Sequence, residues 1–185
     1  MIPKTTISKD YIAGLVDGEG CFDLQFRRDI RHERPGSPVY YGWKTQFVIN
    51  LRKDDLPLLE EVKEIFQCGT IHFQNSPQKE TARYSVQDLD NLYKIVVPFF
   101  RENQLRGKKQ KDFELWAEAV EILSRNKNDK NTQVGKRGFT PTKWERKDFQ
   151  RLVEVHREMQ PYKAKRKQGL KWISAAEAFA LTLPT

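Results

Sequence analysis

Apolar and polar positions recur along the chain with two different periods. Helical spacing predicts a first helix from Lys9, with Ser8 as its N-cap, and further helices over DDLPLLEEVKEIF and KKQKDFELWAEAVEIL. Strict alternation predicts four strands, over CFDLQFRR, Tyr40 to Leu51, TIHFQ and ARYSVQ. The order αββαββα, followed by more helices, predicts a mixed α+β fold with a curved antiparallel four-stranded sheet covered by helices.

The four predicted strands each have one apolar and one polar face. We expect the apolar faces to line the core, with inward side chains Phe22, Leu24, Phe26, Thr45, Phe47, Ile49, Leu51, Ile71, Phe73, Tyr84 and Val86. We expect the opposite face to carry Cys21, Asp23, Gln25, Arg27, Lys44, Gln46, Val48, Asn50, Thr70, His72, Gln74, Arg83, Ser85 and Gln87. A solvated outer face is ordinary for one strand, but four strands that share long polar side chains favour a binding surface.

The C-terminal part of the chain continues this organisation. Asp88 or Asp90 is predicted to cap a helix through Val97, after which Pro98 restarts the chain. Residues 1–123 are predicted to form the core, and residues 124–185 a basic loop and a helical extension packed on the same domain. In the extension, a helix is predicted from Thr140 and Pro141 to about Gln160, and a capping box at Ser174 and Glu177 predicts a last short helix.

Charge and cysteine content narrow the class of protein. The net charge is +8 and the sequence pI is about 9.4, which favours a polyanionic partner. No apolar run approaches the roughly 18 residues that a membrane span needs, and the N-terminus lacks a signal-peptide core. Cys21 and Cys68 have neither CxxC spacing nor a nearby His cluster, so we expect no zinc site and no disulfide framework.

The segment YIAGLVDGEG, from Tyr11 to Gly20, combines two unusual features. Its small residues, Ala13, Gly14, Asp17 and Gly18, are predicted to leave one helix face nearly bare, so that a second helix can approach closely. Asp17 and Glu19 lie near the C-terminal end of the helix, where the helix dipole disfavours anions by about 0.3–1 kcal/mol each. We therefore expect a compensating cation.

These residues carry a family resemblance. Ile12 to Gly20 are in register with the signature of LAGLIDADG homing endonucleases, and the resemblance covers about Ile7 to Leu123. It implies a sequence-specific double-strand DNA endonuclease that hydrolyses phosphodiester bonds at a long, roughly palindromic site and leaves short 3′ overhangs. One signature copy implies a homodimer, with Ala13, Gly14, Asp17 and Gly18 at its interface.

The resemblance also assigns a metal site and catalytic side chains. It implies that Glu19, with the carbonyl of Gly18, binds Mg²⁺ above the scissile phosphates. Lys109, with Lys108 beside it, matches a lysine that stands shortly before a helix in the family and stabilises the phosphate or orders the water. A water-ordering Gln of some relatives aligns with Leu51, which leaves that role unassigned or moved to Asn50 or Arg52.

The implied partner is double-stranded DNA. Its expected contacts are Asp23, Gln25, Arg27, Arg28, Lys44, Gln46, Thr70, His72, Gln74, Arg83, Ser85, Gln87, Lys130, Lys136 and Arg137. Asp23 either accepts from cytosine or only supports neighbouring Arg side chains.

A different class of function stays open. The same fold occurs in intron RNA maturases and in DNA-binding regulators that have lost cleavage, and Glu19 argues against such a loss. A maturase activity beside cleavage would add intron RNA as a partner. We expect an intracellular protein, located with the host DNA in a bacterial or archaeal cytoplasm or in an organelle matrix.

Overall fold

The computed structural model describes residues 7–30, 32–33, 35–37, 39–76, 79–127 and 145–163. The α-helices are α1 (Lys9–Glu19), α2 (Leu56–Phe66), α3 (Leu89–Asn91), α4 (Val97–Glu102), α5 (Gly107–Arg125) and α6 (Arg146–Met159). The strands are β1 (Gly20–Ile30), β2 (Val39–Arg52), β3 (Thr70–Ser76) and β4 (Lys79–Val86). The predicted α+β fold is thus confirmed, with its four strands in one sheet.

The four strands lie in the order β1-β2-β4-β3. Strand β4 pairs antiparallel with both neighbours, so that Asn50 faces Arg83, and Arg83 faces His72, in one cross-strand row. Because side chains alternate between the faces of a strand, this register fixes which residues share a face.

The described residues fall into two compact units. The first lies within Met1–Asp23 and Thr45–Ala117, and its core is aromatic. The Phe22 ring has its centroid 5.0–5.6 Å from those of Phe47, Phe100, Phe113 and Trp116, all fully buried. Such ring pairs stabilise by about 0.5–1.5 kcal/mol beyond the area they bury.

The second unit lies within Leu24–Lys44 and Glu118–Thr185. Its α6 buries Phe149, Leu152, Val153, His156 and Met159, an apolar stripe that the sequence predicts together with Trp144, which lies outside the described residues. The predicted start of this helix at Thr140 is wrong, because Glu145 has extended backbone and α6 begins at Arg146. The proposed last helix around Ser174 lies outside the described residues.

Pro98 does not restart the chain as predicted. Asp88 caps α3 by accepting a hydrogen bond from the Asn91 N–H at 2.9 Å, and a π-helical turn over Leu92–Val96 joins α3 to α4. The Val97 N–H donates to the Leu92 carbonyl, five residues back. This wider turn places Pro98 in the first turn of α4, where a missing N–H costs nothing, and the chain stays helical.

Four side chains depart from the predicted faces. Val48, Ser85 and Asp23 were expected to be exposed but are 3%, 2% and 7% exposed. Val48 and Ser85 face each other on the two central strands, where longer neighbours such as Arg83 surround them. Phe73, predicted to be inward, is 52% exposed because β3 is an edge strand. Among the described helices, none has the length and apolar character of a membrane span.

Candidate functional site

Helix α1 begins at Lys9 with Ser8 as its N-cap, as its sequence predicts, and ends at Glu19. The Ser8 hydroxyl accepts a hydrogen bond from the Tyr11 N–H at 3.1 Å, and Gly20 closes the helix by donating its N–H to the Val16 carbonyl. A Cβ on Gly20 would lie 2.5 Å from Val16 Cγ1 and 2.7 Å from the Val16 carbonyl oxygen. Only glycine therefore allows the chain to leave α1 directly into β1 at this point.

Glu19 is the last residue of α1 and is exposed. Among the described residues, none forms a hydrogen bond or an ion pair with its carboxylate. The last carbonyls of a helix also lack partners within that helix, and Gly18 is one of the residues concerned. The end of α1 therefore presents a carboxylate and at least one backbone carbonyl that is free of helical hydrogen bonding.

Lys109 lies directly beside this helix end. Its Nζ donates to the Gly20 carbonyl at 2.7 Å, although 89 residues separate the two in sequence. The side chain is half-buried and comes from the first turn of α5, within the helix predicted over KKQKDFELWAEAVEIL. Lys108, next to it, is exposed. Lys109 thus places a positive charge close to the C-terminal end of α1.

Asp17 has a structural role. Both carboxylate oxygens accept a hydrogen bond from the Arg106 N–H, at 3.1 Å for Oδ1 and 2.8 Å for Oδ2. The contact ties α1 to the segment that leads into α5, and so fixes the start of the helix that carries Lys109. The sequence did not single out Arg106, because its contribution is a backbone N–H that no side-chain pattern reveals.

One face of α1 is open. Gly14 and Gly18 are exposed, and a Cβ built on either would have no heavy atom within 4 Å. Tyr11 is 51% exposed and shares this face through its spacing of three residues from Gly14. Ala13, expected on the same face, is only 6% exposed and packs inside its own chain. The bare face thus consists of Tyr11, Gly14 and Gly18.

A chain of hydrogen bonds crosses three strands on the polar face of the sheet in the first unit. Arg83 Nη2 donates to Gln46 Oε1 at 3.0 Å, and Gln46 Nε2 donates to Asp23 Oδ2 at 2.8 Å. Asp23 also accepts at its backbone carbonyl from Thr45 Oγ1 at 3.1 Å. Sequence pattern placed these residues on one face but could not reveal that they form one network.

Other predicted DNA contacts occupy the polar face of each unit. In the first unit, Thr70 Oγ1 lies 3.0 Å from His72 Nε2, and Gln87 is exposed. In the second, Arg27 Nε donates to Gln25 Oε1 at 2.8 Å. Lys44 of that unit is exposed.

Two positions of the first unit add to the prediction. Asn50, left out of the expected DNA contacts, is exposed in the row of Arg83 and His72. Ser85, included among them, is buried, and its hydroxyl has no hydrogen-bond partner among the described residues.

Some predicted contacts lie outside the described residues. They are Lys130, Lys136 and Arg137, together with the side chains of Arg28 and Gln74.

Metal-binding potential in the described chain rests on few groups. No cluster of three or more His, Cys, Asp or Glu side chains that could hold an ion occurs within residues 7–127 and 145–163 as described. Glu19 and nearby carbonyls are oxygen donors of the kind that Mg²⁺ and Ca²⁺ prefer. A complete coordination shell at the end of α1 would need oxygens from outside one chain.

The family is established by comparison with known proteins. The model of the LAGLIDADG endonuclease family matches residues 12–120, which span α1, the sheet and most of α5. The chain therefore belongs to the LAGLIDADG endonuclease family.

Curated relatives are longer proteins. A probable intron-encoded DNA endonuclease 1 of Mycosarcoma maydis is 32% identical over 109 residues, which cover 59% of this chain and 35% of that protein. A probable intron-encoded endonuclease 2 of Neurospora crassa is 27% identical over 125 residues, which cover 66% of this chain and 26% of that protein. The chain thus spans about a third or less of the length of these relatives.

Solved structures share the fold. The crystal structure of the homing endonuclease I-TnaI has a TM-score of 0.65 at 21% identity, covering 94% of this chain and 98% of that one. The structure of I-SmaMI bound to an uncleaved DNA target in the presence of calcium ions has a TM-score of 0.64 at 20% identity. That match covers 97% of this chain and 51% of I-SmaMI.

Proposed function

We propose that this protein is a site-specific, divalent-metal-dependent DNA endonuclease that acts as a homodimer, cuts both strands of a roughly palindromic site and leaves short 3′ overhangs. The observation that carries the proposal is the end of α1, where the exposed Glu19 carboxylate stands next to Gly20, the residue held by Lys109. Metal-dependent phosphodiester hydrolysis can use a carboxylate to hold the metal and a cation to stabilise charge on the phosphate.

The groups at this helix end fit Mg²⁺. Glu19 and the Gly18 carbonyl would hold the ion, and both are hard oxygen donors. A bound divalent ion would supply Lewis-acid chemistry, by polarising a phosphoryl oxygen and lowering the pKa of a bound water. Glu19 lies at the pole of α1 that disfavours an anion, so a cation held there also removes an unfavourable term of about 0.3–1 kcal/mol.

Lys109 is held in place before any DNA binds. Its hydrogen bond to the Gly20 carbonyl fixes the ammonium one residue beyond Glu19, and Asp17 fixes the start of α5 through Arg106. In the proposed reaction, Lys109 stabilises the negative charge that develops on the phosphate, and Lys108 adds positive charge at the surface. A donor that is already positioned needs little reorganisation as the reaction proceeds.

Homodimer formation is supported by the glycines of α1. Glycine is about 0.8–1 kcal/mol less favourable than alanine inside a helix, and the space around Gly14 and Gly18 would accept a methyl group within this chain. The packing of the residues that the structure describes therefore gives no reason for either glycine. Close packing of α1 against α1 of a second copy gives one, and it brings together two copies of Glu19, which would hold the proposed metal ions.

The polar face of the sheet is proposed to bind the DNA. In the first unit it carries Gln46, Asn50, Thr70, His72 and Arg83, and in the second Gln25, Arg27 and Lys44. Arg and Gln side chains match guanine and adenine edges in the major groove, whereas Lys suits phosphates. The net charge of +8 agrees with a polyanionic partner.

Selection from a random duplex DNA library tests the proposal. Bound duplexes should share one long, roughly palindromic sequence, and adding Mg²⁺ should cut both strands of it, while EDTA should prevent the cut. The ends of the products, mapped on each strand, should be 3′ overhangs. Specific binding with no cleavage under any divalent ion would favour the alternative, a non-cleaving DNA-binding protein, and preference for intron RNA would favour a maturase.

A further inference from the structure

The orientation of the Gln46 amide is dictated by its two neighbours. An ionised carboxylate only accepts hydrogen bonds and a guanidinium only donates them. Nε2 of Gln46 must therefore face Asp23, and Oε1 must face Arg83, as the distances of 2.8 Å and 3.0 Å show. The opposite orientation would place a donor against Arg83 and an acceptor against Asp23, so both partners select the same one.

This network fixes the orientation of Gln46 and leaves most of the Arg83 donors available. The two bonds of Gln46 use one of the two N–H donors and one of the two acceptor positions of its amide. In Arg83, the bond to Gln46 uses one of the five N–H donors of the guanidinium. Its remaining donors keep the fork geometry that fits the O6 and N7 acceptors of guanine.

The position of Arg83 favours a base over a phosphate. It stands on β4, with a strand on either side, in a row between Asn50 and His72. It is half-buried, and the carboxylate that anchors the network, Asp23, is 7% exposed. A phosphate contact needs only a mobile charge at the rim of a surface. A side chain on a central strand that is held by a residue of the neighbouring strand is arranged for a directional contact.

We propose that Arg83 specifies a guanine in the DNA target, and that Asp23 and Gln46 are positioning residues that fix its guanidinium. This inference rests on the proposed binding of DNA by the sheet. It selects one of the two roles open for Asp23, the support of a neighbouring Arg, and it gives Gln46 a positioning role.

Base preference, measured one position at a time, tests the inference. Duplexes selected with the wild-type protein in EDTA should share a guanine whose replacement weakens binding roughly 5- to 150-fold. Arg83→Met should abolish that preference and leave the other positions unchanged. Gln46→Met should weaken the guanine preference at the same position, because the Arg83 guanidinium loses the Gln46 oxygen that holds it. Arg83 itself keeps its length and its charge in this variant.

Two substitutions at Asp23 separate the effect of its hydrogen-bond acceptor from the effect of its negative charge. Asp23→Asn keeps an oxygen that can accept from Gln46 Nε2, so the guanine preference should persist. Asp23→Leu is larger and has no acceptor, so the preference should weaken at that position. Equal base preference in the two variants would contradict a positioning role for Asp23. If Asp23→Leu lowers the melting temperature too far for binding assays, Gln46→Met still tests whether the network positions Arg83.

The control is Lys63→Ala, which removes an exposed charge from α2 and should change no base preference. A uniform loss of affinity for Arg83→Met at all sequences, with the salt slope reduced by about 0.9, would show a phosphate contact and overturn the inference. Sequence-specific binding by the wild-type protein in that experiment would leave the proposed function standing. A wild-type selection without any shared sequence would overturn both.

Discussion

Replacing Gly14 by alanine has opposite expected effects on the free chain and on the proposed dimer. No heavy atom lies within 4 Å of the added Cβ, so α1 of a single chain should gain about 1 kcal/mol, which raises its melting temperature by roughly 2–4 °C. In a dimer whose α1 helices pack closely, each copy brings one methyl group into the contact. Overpacking costs about 1–3 kcal/mol per group, or about 2–6 kcal/mol per dimer.

The assay is the dissociation constant of the dimer, measured by light scattering or sedimentation over a dilution series. Wild-type protein should show a mass near twice 21.8 kDa. The constant should rise roughly 30-fold or more for Gly14→Ala, and Gly14→Leu should give monomers at every practical concentration. Gly42→Ala is the matched control, since a Cβ there also meets nothing within 4 Å and Gly42 lies in strand β2. A more stable Gly14→Ala protein with an unchanged dissociation constant would refute an interface at α1.

Four further substitutions test other parts of the account. Lys109→Met should lower the rate of DNA cleavage by at least tenfold with little loss of binding, and equal rates for the two proteins would remove Lys109 from the reaction. Gly20→Ala should destabilise the fold by about 1–3 kcal/mol in denaturant titrations, because its Cβ meets backbone atoms of Val16; Gly42→Ala, with open space, should not. Arg151→Ala should cost about 1 kcal/mol, since Arg151 forms ion pairs with Glu118, Glu154 and Glu158, and an unchanged melting temperature would show that this network contributes nothing. Burial raises the pKa of the Asp148 carboxyl, but hydrogen bonds from Asn126 and Arg125 outweigh burial and hold this pKa below its ordinary value of 3.8. The loss of stability in Asp148→Asn should therefore be complete above about pH 4 and should disappear as the pH falls further. A loss of stability that does not depend on pH would contradict this.

The secondary structure was largely predictable because local rules decide it. The cap at Ser8, the four alternating strands and the buried stripe of α6 each follow from residues close together in sequence. The family signature identified the end of α1 as the likeliest place for chemistry before any geometry was known. Lys109 could be proposed from its resemblance to the family, but its hydrogen bond to Gly20 required the fold.

The remaining features depend on contacts between distant segments. The alternation of side chains along a strand assigns Val48 and Ser85 to the polar face. Their burial follows from the lengths of the side chains around them on adjacent strands. Phe73 is exposed because β3 lies at the sheet edge, and strand order cannot be read from alternation. Asp23, Gln46 and Arg83 become one network only once three strands are in register.

The face of α1 illustrates the same limit at smaller scale. The small residues Ala13, Gly14 and Gly18 all suggested a bare surface, yet Ala13 is buried in its own chain. The residue that shares the open face is Tyr11, and helical spacing from Gly14 would have indicated it.

The central claim is that Glu19 holds the metal that cleavage requires. The most direct test is cleavage of the selected DNA in Mg²⁺ by Glu19→Gln, a change of almost no volume, with Asp10→Asn in the first turn of the same helix as control. We predict that Glu19→Gln binds the site with wild-type specificity and cuts neither strand, while Asp10→Asn cuts both. Retained cleavage or nicking by Glu19→Gln in Mg²⁺ would contradict the account.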